Sequence, residues 1–480
     1  MDIAGEPPVV VERPARPSRI LPLIIATALL MENIDSTVLA TSLPEIARDL
    51  ATDPIHLKLV LTTYLLALAI FIPASGWMAD RFGARRIFRW AIVVFALGSI
   101  ACGMSSSLGE LVMARALQGL GGSMMTPVGR LIVLRATPRE NMINALAWLT
   151  VPALLGPVLG PPLGGFITTF YDWRLIFWIN IPIAVLGLIL ATLYIPRIQT
   201  EQVRSFDARG FLLAGPGLSA ALTGVTLLGL GLASTPVIIV LILIGVALVL
   251  LFIRHALRVA DPLVDLRLLK LPTFRVMVTA GTLFRVGVGA LPFLLPLMLQ
   301  LGFGLTPFQS GMLTFVSGGG ALVMKFLAQR ILKAFGFRMV LALNAAFSSI
   351  FILAPAFFTP QTPWIVMASV LFIGGLSRSL QFTSVNVIAY ADVPAERLSS
   401  ATSFASVLQQ LSGSIGIAVA ALALDAMQAL YGGSSTELSH FPAVFSLIAL
   451  LSLLSALIFA RLPSGAGASL IAPRLLKLDD

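Results

Sequence analysis

Apolar residues run through this chain in long blocks, broken at intervals by short clusters of charge, proline and glycine. The blocks do not alternate as strands do. Most are apolar all round, the pattern of a helix with lipid or protein on every side. A helix crossing a bilayer needs about 20 such residues. Fourteen stretches qualify: Ile20–Ser42, Leu57–Met78, Phe88–Ser105, Leu111–Val133, Met142–Thr169, Trp173–Ile195, Phe211–Leu230, Val237–Ile253, Phe274–Leu299, Phe308–Ile331, Met339–Phe358, Trp364–Ala389, Thr402–Leu430 and Phe441–Ala460, the last being the cleanest. Lipid offers backbone groups no partner, so such segments are helices or a closed barrel, and a barrel would show short alternating strands. The predicted fold class is an all-α integral membrane protein.

Composition agrees, with 58% hydrophobic and 11% charged residues and a mean hydropathy of +0.96. The formal charge of +10 would suggest nucleic acid if it were spread evenly, but it is not. Of the 32 Lys and Arg, Arg48, Lys58 and Arg174 fall on one side, Arg115, Arg285, Lys325 and Arg378 inside spans, and the rest on the other side, in loops, tails or the very ends of spans. This positive-inside asymmetry places both termini in the cytoplasm and makes the basic balance a matter of topology. Nucleic acid is therefore not an expected partner. The expected partners are membrane lipids, protons and a small-molecule substrate, for a chain working as a monomer. A single cysteine, Cys102, excludes an internal disulfide, and three scattered histidines predict no metal site. No cofactor is expected. The first residues carry acids and prolines without a cleavage site, which predicts a tail rather than a signal peptide.

The longer connections divide the chain. The expected organisation is a tail (1–19), a six-helix bundle (20–196), a linker with two extra helices (197–273), a second six-helix bundle (274–460) and a closing tail (461–480). Phe82-Gly83-Ala84-Arg85 after the second span is echoed by Phe335-Gly336-Phe337-Arg338 after the tenth, which is the second span of the later bundle. Two repeated bundles with a pair inserted between them is a transporter layout: two six-helix bundles plus two inserted helices, 14 in all.

Ionisable groups inside spans mark function, because each is costly in hydrocarbon. Glu32 and Asp35 sit three apart on one face of the first span, and Arg115 and Gln118 do so on the fourth. Asp35 and Arg115 lie at matching depth. Glycines at Gly156, Gly160 and Gly164, with Pro157, give the fifth span a smooth face for close packing or a hinge. Gly76, Asp80, Arg81, Gly83, Arg85 and Arg86 make a turn after the second span in which Asp80 pairs with a base and the arginines grip the opposite bundle. Gln381, Gln409 and Gln410 offer hydrogen bonds, while Phe284, Phe293, Met298 and Phe382 are candidates for an apolar lining. Lys325 is expected to snorkel and Asp425 to lie at an outer rim. No phosphate-binding Gly-x-x-x-x-Gly-Lys-Ser/Thr loop and no catalytic set occurs, so neither ATP hydrolysis nor an enzyme is expected.

The Gly76–Arg86 turn, the Arg115/Gln118 helix, the glycine–proline fifth span and the segment Trp173–Pro182 together resemble the major facilitator superfamily. More narrowly they resemble the fourteen-span drug:proton antiporters of the EmrB/QacA type, and within them the MdtD type. The resemblance runs over nearly the whole chain. Asp35-Ser36-Thr37-Val38 through Leu43-Pro44 matches the family's first-span motif, with Ala40 where asparagine is usual, and Val60 stands near Tyr64 where a tryptophan is common. The resemblance implies that spans one, four, nine and twelve line a central cavity. Asp35, helped by Glu32, is then the proton carrier and Arg115 its partner. Gln118, Arg285, Arg378, Gln381 and Gln409 face the substrate, and the fifth-span glycines mark an exporter in a bacterial inner membrane. The expected function is proton-coupled export of small amphipathic molecules or drugs by alternating access. The alternative is a proton-coupled organic-anion (citrate-like) exporter or exchanger, because three cavity arginines outnumber two carboxylates.

Overall fold

Long apolar blocks leave the backbone no partner but itself, and they fold as helices. In the computed structural model, residues 20–137, 142–196, 205–228, 232–394, 397–434, 436–463 and 465–467 are described. No strand occurs among them. The expected tail 1–19, residues 468–480 of the expected closing tail 461–480 and residues 197–204 of the expected linker 197–273 lie outside the described residues.

The first half comprises α1 (Ile20–Val38), α2 (Lys58–Phe82), α3 (Ala84–Met104), α4 (Leu108–Ala136), α5 (Met142–Phe170) and α6 (Asn180–Tyr194). Helices α7 (Ala208–Leu227) and α8 (Thr235–Ala256) follow. The second half begins with α9, a composite helix over Pro272–Gly302. Next come α10 and α11, residues 307–335 and 337–353 of one stretch, Pro307–Leu353, that breaks at Gly336. The chain continues with α12 (Trp364–Ile388), α13 (Leu398–Tyr431) and α14 (Phe441–Phe459). Among the described residues, 11 helical stretches are long and apolar enough to cross a membrane. Helices α4 and α5, at 29 residues each, have the length as well, but Arg115, Gln118 and a run of glycines dilute the apolar character of α4.

Local chemistry sets several boundaries. Thr306 and Gln309 form a reciprocal capping box at the start of α10. Ser107 caps α4 by accepting from the Glu110 amide. Pro44 lacks an amide hydrogen, and the first crossing tightens to a 3-10 turn at Leu39–Ser42 before it resumes as a short helix to Asp49. The crossing therefore runs past its expected end at Ser42. The sequence repeat has a backbone counterpart: Gly83 has φ +92° and Gly336 φ +73°, left-handed turns that a side chain would strain. The expected loop between the tenth and eleventh spans is this single glycine.

The inserted pair packs as a hairpin, with Gly245 of α8 against the Ala221 backbone of α7. Helix α7 in turn lies on α2, where the Phe71 and Phe211 rings sit 5.8 Å apart at a tilt of 50°. Much of α8 is exposed, and the pair forms an outer layer that touches both halves, with Ala214, Phe252 and Ala256 in one apolar cluster with the second half.

One apolar core contains residues of both halves, including Val38, Leu57 and Phe177 from the first and Phe293, Leu297 and Phe445 from the second. Towards the opposite end the core divides into one cluster drawn almost wholly from the first half and another from the second half and inserted pair. Hydrogen bonds between the halves cluster at the shared end. Gln300 donates to the Thr41 carbonyl at 2.8 Å, the Phe308 amide to Thr169 at 2.9 Å and Ser414 to the Thr62 carbonyl at 3.4 Å. The molecule is closed at that end and parted at the other.

Candidate functional site

Asp35 is fully buried in the first half, and three side chains donate to its carboxylate. Arg115 Nη1 lies 2.6 Å from Oδ2. Gln118 Nε2 and Asn180 Nδ2 each lie 2.8 Å from Oδ1. Ser99 receives further bonds from Gln118 at 2.8 Å and Asn180 at 3.2 Å. The Arg115 guanidinium also donates to Gln118 Oε1 and sits over the Tyr64 ring, 4.1 Å from its centroid. Helices α1, α3, α4 and α6 thus meet at one carboxylate. Charge-assisted bonds of this kind are roughly twice as strong as neutral ones, and losing one partner leaves a buried charge uncompensated. Small residues permit the approach: a Cβ on Gly98 of α3 would lie 2.6 Å from the Gln118 Cα.

The pairing of Asp35 with Arg115 matches the sequence expectation. Asn180 and Ser99 were not expected. Asn180 lies within the Trp173–Pro182 segment that carries the family resemblance, while Ser99 is only a Ser in the apolar run of α3. Glu32, one turn closer to the parted end, is 9% exposed and accepts from Thr126 at 2.9 Å. The two carboxylates share a helix face but not partners.

Other expected positions separate. Arg285 is buried on α9, just past a π-helical turn at Met277–Gly281, a distortion found often at functional sites. It donates to Asn386 at 2.6 Å. Half-buried Arg378 donates to Ser317, and Gln409 is exposed. Gln381 is expected at the cavity, but it faces α11 within its own half, donating to the Leu341 carbonyl at 3.0 Å and accepting from Asn344 at 2.8 Å. It lies on the packed side of α12. Phe284, Phe293 and Met298 belong to the apolar cores, leaving Phe382 as the partly accessible member of that set.

At the parted end Asp80 pairs with Arg135 of α4 at 2.7 Å. Arg85 donates to the Thr192 carbonyl of its own half, while Arg81 and Arg86 are exposed; among the described residues these arginines make no bond to the opposite bundle. Around Gly76 there is open space. Glycines Gly156, Gly160 and Gly164 turn to α1, where added Cβ atoms would run into Asn33, Thr37 and Val38; Pro157 lies exposed between them. The contact between halves is made one residue later, where Gly165 meets Pro307 and Pro161 meets Gly311 backbone to backbone.

Lys58, expected on the side away from the termini, begins α2 at the closed end. Its side chain is 0% exposed and reaches Asp425 of the second half at 3.3 Å and the Leu228 carbonyl that ends α7 at 3.3 Å. Lys325 contacts Thr383 at 3.0 Å rather than only reaching outward.

The family model of the Major Facilitator Superfamily matches residues 25–417 and 277–474. The chain belongs to that superfamily. As a member it is a multi-pass membrane transporter and not an enzyme. Curated relatives named "Putative multidrug resistance protein MdtD" are 38% identical, in Enterobacter sp. (strain 638) over 94% of this chain and 96% of the relative, and in Citrobacter koseri over 92% and 94%. Among solved structures, a D-xylose-proton symporter superposes with a TM-score of 0.66 at 15% identity, covering 93% of this chain and 98% of that one. An inward-facing bacterial homologue of the human lysosomal transporter Spinster gives 0.67 at 15%, covering 93% and 97%. At that identity the likeness is one of fold.

Proposed function

We infer that this facilitator exports small amphipathic molecules, drugs among them, in exchange for protons, by alternating access. It would have fourteen crossings: the 11 stretches, with Pro307–Phe357 read as two about Gly336, plus α4 and α5. The split at 196 and 274 gives the two bundles. Both termini lie in the cytoplasm of a bacterial inner membrane, with the parted end facing inward. The observation that carries this reading is the Asp35–Arg115 pair, sealed by Gln118 and Asn180 in a helix bundle that is closed on one side only. With the cleft open inward, Asp35 is ionised and held by Arg115, and cargo enters. After the bundles rock, an outside proton neutralises Asp35, weakens its hold on Arg115 and releases cargo outward; Glu32 relays the proton on return. One charge crossing about 100 mV supplies roughly 2.3 kcal/mol. The multidrug label of the MdtD relatives supports export, as do the fifth-span glycines.

The test is Asp35→Asn in inverted vesicles with an imposed pH gradient. Gradient-driven dye accumulation disappears, while equilibrium exchange of dye continues. Accumulation at the wild-type rate would remove Asp35 from the coupling.

A further inference from the structure

The two halves treat the cations within their crossings differently. Arg115 lies against Asp35, and Lys58 reaches Asp425. In the second half Arg285, Lys325 and Arg378 bond neutral groups, namely Asn386, Thr383 and Ser317. Among the described residues no carboxylate lies within ion-pairing distance of these three. Arg285 is 4% exposed, its Nε has no partner, and its Nη1 has the Met277 sulfur at 3.8 Å. A guanidinium withdrawn from water without a counter-charge is expensive to keep, and a donor left unmatched adds to that. Thr383 and Asn386 are three residues apart on α12 and so share a face. Arg285 from α9 and Lys325 from α10 therefore arrive at the same face of one helix. Lys325 and Asn386 lie at the surface of the molecule. Phe382 adjoins it, its ring 5.8 Å from that of Phe284.

We propose that Arg285 and Lys325, set on Asn386 and Thr383, form an anion subsite that receives the carboxylate of an amphipathic cargo, with Phe382 beside its apolar body. The inference rests on the exporter reading and names the substrate class of the same cleft. The unpartnered Nε of Arg285 leaves a donor for a carboxylate oxygen, and Lys325 adds a second charge. Arg378, two turns from Asn386 along α12, keeps the approach positive.

The experiment uses the full-length purified chain and three probes sharing one ring system: naphthoate, naphthamide and naphthylmethylammonium. Calorimetric titration is expected to show naphthoate binding about tenfold more tightly than the amide, the scale of one charged hydrogen bond, and the ammonium most weakly. Lys325→Gln lowers naphthoate affinity about tenfold with amide affinity unchanged, and Lys325→Arg restores it. Arg285→Gln does the same; should it fail to fold, the two Lys325 variants still decide. The proposal is overturned if naphthoate does not bind, if amide or ammonium binds as tightly, or if Lys325→Gln weakens amide and naphthoate alike. Vesicle transport of naphthoate under a pH gradient is read separately. Selective binding without gradient-driven movement would sink the exporter reading and leave the subsite standing.

Discussion

Replacing Lys58 by methionine should open the closed end. The Lys58–Asp425 pair joins the two halves at 3.3 Å, with the lysine side chain 0% and the aspartate 13% exposed. Removing one member of a buried pair typically costs about 3–5 kcal/mol. Asp425 keeps some contact with water, so about 2 kcal/mol is a fair discount. Methionine keeps most of the unbranched bulk, so what is lost is the charge and the bond to the Leu228 carbonyl. When this end opens, both groups are hydrated, so the loss falls on the closed state alone. The population ratio then shifts about 30-fold towards the form open at this end, outward in the proposed orientation. The sole cysteine, Cys102, is buried; replacing it with serine gives a background into which Leu297→Cys can be placed. Leu297 is 0% exposed in the core shared by the halves. A membrane-impermeant thiol reagent applied to intact cells should label it up to about 30-fold faster with Lys58→Met, and Lys58→Met with Asp425→Leu should return much of the protection because an apolar pair replaces the ionic one. An unchanged labelling rate in the single variant would refute the latch.

Three further outcomes are expected. Gly160→Leu drives a side chain into Thr37 and the Val38 backbone, an overpacking worth about 1–3 kcal/mol, and should lower the thermal midpoint in detergent well below that of Gly160→Ala. Asn180→Leu removes one of three donors to Asp35 and should slow gradient-driven transport about tenfold, with substrate binding retained in the same titrations. Asp207, outside the crossings, is partly desolvated, which opposes ionisation, but His255 and the Gly210 and Leu263 amides outweigh this and hold its carboxyl below the usual value. Its contribution is therefore full above the unfolded value of about 3.9 and lost as pH falls through the depressed folded one. Hydrogen exchange at Gly210 and Leu263, corrected for intrinsic rate, should quicken only in that acid range, and in Asp207→Asn at neutral pH as well.

The sequence by itself determined the helical membrane class, because runs of this hydropathy have no other stable state in lipid. It also gave the repeat, through Gly83 and Gly336, and the depth match of Asp35 with Arg115, since both follow from spacing along single helices. Tertiary structure decided the rest. Asn180 and Ser99 join the Asp35 site only because α3 and α6 close on α1 and α4, and Lys58 and Asp425 meet across most of the chain's length. Gln381 and Gln409 look alike in sequence, yet one faces α11 and the other is exposed, since helix rotation is fixed by neighbouring helices and not by the residue itself. Which end is shut is likewise a property of how the halves meet: an apolar helix face packs equally well against a partner in either state.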